Sequence, residues 1–241
     1  MIDSMKTPLK AILFDFDGTL VDTKSYYFGL VAKFLGSDPE RTISLAGTII
    51  SSRLSPKDTN IKWELLKVSY IISRKLGFGY LKSIRAVLFL VRNHSKSFSE
   101  AQPTLNTVKG LEELRLKGIN MGIISFSSKK KITKFIDKFL PTKGYFPADN
   151  ILAKGGFGKT KEAGIFTFLE SIDLTKKPHL CAIVGDLGGD IIAGNNMNLF
   201  TIGITTGYAS EETLRKASPS LITSSISEIA EKVEKSDYNF K

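Results

Sequence analysis

The chain has 241 residues, 42% of them hydrophobic and 24% charged, with a formal charge of +10 at neutral pH. That length suits one large α/β domain or two unequal ones, and the composition excludes a disordered chain, a collagen-like repeat and a simple coiled coil. One cysteine, Cys181, and two histidines exclude a disulfide framework, a thiolate zinc cage and a histidine-rich metal site. With no apolar signal core in MIDSMKTPLK and no apolar run near the ~20 residues of a bilayer span, a soluble cytoplasmic protein is expected, with no transmembrane segment.

In chain order, residues 10–15 (KAILFD) form an apolar run ending in an acid, the pattern of a buried parallel strand that delivers polar groups at its carboxyl end. Residues 24–98 read differently, as helices without a buried strand. Ile61, Leu65, Val68, Ile72 and Leu76, and then Leu81, Ile84, Leu88 and Val91, recur at helical spacing. Gly77 and Gly79 turn the chain between these segments, and the polar stretch 93–99, with His94, reads as a return linker. Trp63, Phe78, Tyr80 and Phe89 are read as packing residues, with a pocket as the alternative.

Beyond residue 99, apolar runs at Met121–Ser125, Asn150–Ala153, Leu180–Gly185, Leu199–Ile204 and Leu221–Thr223 alternate with helical stretches near 106–117, 128–140, 160–172, 188–197 and 225–236. The expected class is α/β: a Rossmann-like parallel sheet with helices on both faces and an inserted all-helical region. The core spans 1–23 and 99–241, and the insertion 24–98. Charge divides the same way, with 13 basic against 4 acidic residues between Lys24 and Lys96.

Two motifs carry the chemistry. Phe14-Asp15-Phe16-Asp17-Gly18-Thr19-Leu20 closes the first strand, and Ile183-Val184-Gly185-Asp186-Leu187-Gly188-Gly189-Asp190 closes a later one. They resemble the DxDGT and GDxxxD signatures of the haloacid dehalogenase superfamily, most closely its phosphatase branch and phosphoglycolate phosphatase-like proteins. A carboxylate can attack phosphorus when a cation neutralises the repulsion between anions, and a second carboxylate can serve as general acid and base. The resemblance implies Asp15 as nucleophile, Asp17 as acid/base and Mg2+ as cofactor. It also implies metal ligation by the Asp15 and Asp186 side chains and the Asp17 carbonyl, with Asp190 joining the shell or orienting its water.

Weaker elements follow in family order. Ile123-Ile124-Ser125 resembles the strand whose terminal hydroxyl and next backbone amide hold the phosphoryl oxygens, which assigns Ser125 and the Phe126 amide. Lys159 is aligned as the lysine that stabilises nucleophile and phosphate, while ungapped counting back from Asp186 selects Lys161 instead. Ala153–Thr160 also imitates a relaxed phosphate-binding P-loop, a reading that leaves both aspartate motifs unused. Cys181 and His179 read as a buried small residue and a strand-entry histidine rather than a nucleophilic pair, and Asp22 as a helix cap.

The function these features imply is Mg2+-dependent hydrolysis of a small anionic phosphomonoester through an aspartyl-phosphate, beneath a cap formed by the insertion. Nucleic acid is not an expected partner, and the residues leave the oligomeric state open. A phosphomutase of the same superfamily and an idle module with a basic cap for nucleic acid or anionic membrane are the alternatives. Dehalogenation is disfavoured because that branch lacks the acid found here at Asp17.

Overall fold

A computed structural model describes residues 9–55, 57, 62–93, 100–140 and 144–233. Strand β1 (Ala11–Phe14) is buried along its whole length, as its uninterrupted apolar sequence requires. Four helices follow: α1 (Thr23–Leu35), α2 (Pro39–Ser51), α3 (Lys62–Lys75) and α4 (Tyr80–Asn93). Asp22 caps α1, its Oδ1 accepting the Ser25 N–H at 2.9 Å, and Asp38 with Pro39 starts α2. Ile61, the 94–99 linker with His94, and the boundary at 98/99 lie outside the described residues.

The chain then alternates: α5 (Thr107–Leu116), β2 (Asn120–Ile124), α6 (Lys129–Phe139), β3 (Ile151–Leu152), α7 (Lys161–Ser171), β4 (Cys181–Gly185) and α8 (Gly188–Asn196). It ends with β5 (Phe200–Ile204), α9 (Glu211–Lys216), β6 (Leu221–Thr223) and α10 (Ile226–Lys232). The expected strands and helices stand where the sequence pattern puts them, within a residue or two at most ends. Residues 234–236 of the last expected helix lie outside the described residues. Helix α9, six residues long, shows too little periodicity to be read from sequence.

All six strands are parallel in the order β3-β2-β1-β4-β5-β6, the Rossmann-like sheet expected. Alternation along β1 sends Ile12 and Phe14 into one apolar layer and Ala11 and Leu13 into the opposite one. The first layer is closed by α5, α6 and α10, the second by α7 and α8. Each large side chain removed from water there contributes roughly 1.5–3 kcal/mol. A third apolar cluster joins the four insertion helices to Leu187, Ile191, Tyr208 and Leu214, so α1 to α4 sit on the α8–α9 side of the sheet.

Strand order also determines where polar groups collect. From β1 the chain runs outward through β2 and β3, then crosses back to β4 on the other side. The carboxyl end of β1 is thus the switch point of the sheet, where side chains from neighbouring loops face one crevice.

Candidate active site

Asp15 follows β1 directly. Its N–H donates to the Val184 carbonyl at 2.8 Å, continuing the β1–β4 pairing by one residue and bringing its carboxylate out between the ends of β2 and β4. The chain must then leave sharply. Gly18 does this with φ +89°, and a Cβ there would overlap the Asp186 carboxylate, so this close approach excludes any side chain.

Asp186 ends β4 with no exposed surface. Its Oδ2 accepts the Tyr208 N–H at 2.9 Å, whereas Oδ1 is buried without a hydrogen-bond partner. Asp190 lies on the first turn of α8, its Oδ2 accepting the Leu187 N–H at 3.3 Å. Ligand oxygens of Asp15, Asp186 and Asp190 lie within 4.8 Å of one another.

One lysine reaches this cluster. Lys161 Nζ donates to Asp15 Oδ1 at 2.7 Å and also to Asp190 Oδ1. Lys159 does not: it is exposed on the loop before α7, so of the two lysines the sequence offers the structure brings Lys161 to the acids. The reason is the helix start. Thr160 caps α7, its Oγ1 accepting the Ala163 N–H, so Lys161 is the first helical residue and turns inward. One turn on, Gly164 packs so tightly on Ile124 and Phe157 that a Cβ would collide with both, which holds the start of α7 against the end of β2.

Burial dominates the electrostatics. It pushes the Asp15 carboxyl up to about 7, against the pull of Lys161 and with the help of the Asp190 and Asp17 charges. Asp186 is raised well above the ordinary carboxylate range by burial and then by the charges of Asp15 and Asp190. Burial opposes the Lys161 charge as well, yet Asp15 and Asp190 outweigh it and hold the ammonium above the usual lysine range. Among the described residues a single ammonium faces the three buried carboxylates, which leaves the cluster short of positive charge. That deficit, the all-oxygen donor set and the orphaned Asp186 Oδ1 fit a hard divalent cation.

Asp17 lies beside the cluster with both oxygens engaged, Oδ1 by Lys131 Nζ at 2.6 Å and Oδ2 by Ser127 Oγ at 2.5 Å. Sequence reading missed both partners. A signal was present for Lys131: three lysines open α6, where the helix dipole disfavours cations, so a local acid was needed to hold one of them. Ser125 is buried at the end of β2, its Oγ accepting the Ser127 N–H at 3.0 Å. The Phe126 ring packs on Phe157 at 5.7 Å between centroids. Asp15, Asp17, Ser125, Phe126, Lys131 and Lys161 line one cleft.

The competing motifs lie elsewhere. Cys181 opens β4, at the opposite end of that strand from Asp186, fully buried and with its thiol pushed up by burial, while His179 is exposed. The glycine-rich loop before α7 is largely exposed and serves to deliver Lys161. Several insertion charges are taken up within the insertion: Arg53 and Lys67 pair with Glu64, and Lys82 donates to the Leu35 carbonyl.

The model of the haloacid dehalogenase-like hydrolases matches residues 9–198, a span that holds every one of these site residues. The chain belongs to that family. This haloacid dehalogenase-like hydrolase has phosphatases among its relatives. It is 23% identical over 219 residues to the phosphoglycolate phosphatase of Psychrobacter arcticus, covering 86% of this chain and 88% of the relative. It is 29% identical over 125 residues to the glyceraldehyde 3-phosphate phosphatase of Methanothermobacter thermautotrophicus, covering 48% of this chain and 51% of that one. Its fold matches a HAD family hydrolase from Deinococcus radiodurans R1, solved with bound phosphate and sodium, at a TM-score of 0.68 and 15% identity over 96% of this chain and 100% of the other. Among the described residues of this hydrolase, no helix is long and apolar enough to cross a membrane.

Proposed function

We propose that this enzyme hydrolyses a small phosphomonoester through an aspartyl-phosphate on Asp15, with Mg2+ as its cation. The observation that carries the reading is the cluster itself: a carboxylate at the switch point, one buried lysine against it, and two further buried acids with an oxygen left unpaired. Asp186, Asp190, Asp15 and the Asp17 carbonyl would hold the cation. When bound, it offsets the carboxylate charge and polarises the phosphoryl oxygens.

In the first step an Asp15 oxygen attacks phosphorus, the bond to the leaving oxygen breaks, and Asp17 gives that oxygen its proton. In the second, Asp17 takes a proton from water, the water oxygen attacks phosphorus, and the bond to Asp15 breaks, releasing phosphate and regenerating the carboxylate. Lys161, the Ser125 hydroxyl and the Phe126 amide hold the phosphoryl oxygens as charge builds on them. Lys131 and Ser127 orient the Asp17 carboxyl. The insertion, taken as residues 24–98, acts as a cap that shields the phospho-enzyme and contacts the leaving group. The lone buried cysteine suits a reducing, cytoplasmic setting.

Phosphate release from p-nitrophenyl phosphate, measured after chelation and after Mg2+ is restored, tests this function. Activity that disappears and returns with the metal supports it. Equal activity after exhaustive chelation overturns it.

A further inference from the structure

Above the carboxylates the cleft changes character. Near Asp15 it measures about 100 Å3, and there the insertion contributes Tyr27, Lys62 and Leu65. The same three residues line a second cavity of about 280 Å3, completed by Trp63, Leu66, Leu90 and Val91. The two cavities thus adjoin, with Tyr27, Lys62 and Leu65 forming a wall common to both. Five of the seven described residues around the second are Trp, Leu or Val, and none is an acid or an amide that would pair with sugar hydroxyls.

Two magnitudes give this cavity a ligand. An apolar cavity of about 150 Å3 holds benzene, so this one has room for a phenyl ring or a branched chain of about six carbons. Trp63, the only tryptophan in the chain, is 77% exposed, and Val91 is 47% exposed, on the wall of a cavity that adjoins the catalytic cleft. Large apolar surface left in water at such a place marks a contact made by a ligand.

We infer that the second cavity receives the leaving group, and that the substrate is a phosphate ester of an apolar alkyl or aryl alcohol, not a polyhydroxylated or carboxylated one. The inference rests on the phosphatase reading for orientation, with the phosphoryl group on Asp15 and the ester carbon toward Tyr27. Burying the chain favours binding by the ordinary hydrophobic increment, and the Lys62 stem adds apolar surface while its ammonium stays at the water boundary.

The test uses Trp63 fluorescence, titrating the protein in Mg2+ with ethyl-, butyl- and hexylphosphonate, 3-phosphonopropionate and a polyhydroxylated phosphonate. Affinity should rise about three- to fourfold per added methylene, and Trp63 emission should shift to the blue as its ring is covered. Val91→Glu should abolish the dependence on chain length, because residue 91 lines the second cavity and the carboxylate removes its apolar wall. A flat chain-length series, or tighter binding of the carboxylated or polyhydroxylated phosphonate than of hexylphosphonate, overturns the inference. Phosphate release from the matching alkyl esters separates the two claims. Release from none of them, with the phosphonate series intact, removes the hydrolase reading but upholds the cavity assignment, whereas release with a flat series removes the cavity assignment alone.

Discussion

Lys161 Nζ lies 2.7 Å from Asp15 Oδ1, with 4% of the lysine side chain and 10% of the aspartate side chain exposed to solvent. A charge pair so far from water has consequences for turnover and for folding, because neither ion has solvent to replace its partner.

Lys161→Met should lower kcat by about 10²–10³, the usual loss when a positioned donor to a developing negative charge is removed. Lys159→Met, on the exposed loop, should stay within about twofold of wild type, since surface changes away from a site are nearly neutral. Without metal, Lys161→Met should also lose about 3–5 kcal/mol of stability by leaving buried carboxylates unpaired. Steady-state kinetics and denaturant melts of both variants check this, and the reverse ranking would return the role to Lys159.

The raised carboxyls give a pH dependence of definite sign. Asp15 titrates near 7 in the fold, against about 4 for an unfolded aspartate, and Asp186 is also raised. Over that interval the native state binds more protons than the unfolded one, so their contribution to stability is fully present below about pH 4 and is lost as pH rises through 7. Metal-free protein should therefore show this loss between pH 5 and about 8, while Asp186→Asn shows a shallower one. Added Mg2+ should raise Tm more at the upper end, where protons no longer compete for the oxygens. Thermal melts of both proteins with and without Mg2+ measure it, and a wild-type slope no steeper than that of the variant would contradict the assignment.

Asp17 depends on Lys131 and Ser127 for its orientation. Lys131→Met should lower kcat/KM by about tenfold to a hundredfold, a fraction of what positioned acid–base catalysis contributes. The Mg2+ concentration for half activation should change little, because Lys131 bonds the Asp17 carboxylate and not the carboxylates of Asp15, Asp186 and Asp190 that would hold the cation. Unchanged kcat/KM in this variant would remove the positioning role.

The fold was legible because the buried strands are apolar runs and all but β5 are followed by a readable helical stripe, and the two aspartate motifs stand at the ends of two such runs, β1 and β4. That pattern puts both acids at the carboxyl edge of a parallel sheet, and the strand order, with β4 beside β1, brings Asp15 and Asp186 together. Lys161 could not be chosen over Lys159, because two residues reverse the direction of a side chain at a helix start and only the Thr160 cap and the Gly164 contact decide where α7 begins. Ser127 and Lys131 were missed because their partner, Asp17, is more than a hundred residues away in the chain. Trp63 illustrates the same difficulty within the insertion. Helical spacing suggests packing, but only the arrangement of α1, α3 and α4 turns that residue onto a cavity wall.

If the Asp15 carboxylate forms a bond to phosphorus, kcat of Asp15→Asn at saturating substrate and Mg2+ reads that bond directly. The substitution keeps the shape of the side chain and removes the attacking anion. A fall of at least about a thousandfold, or some 4 kcal/mol in barrier height, is expected, in a variant whose melting transition remains cooperative. Near wild-type turnover, with intact mass showing that asparagine has not deamidated, would contradict it.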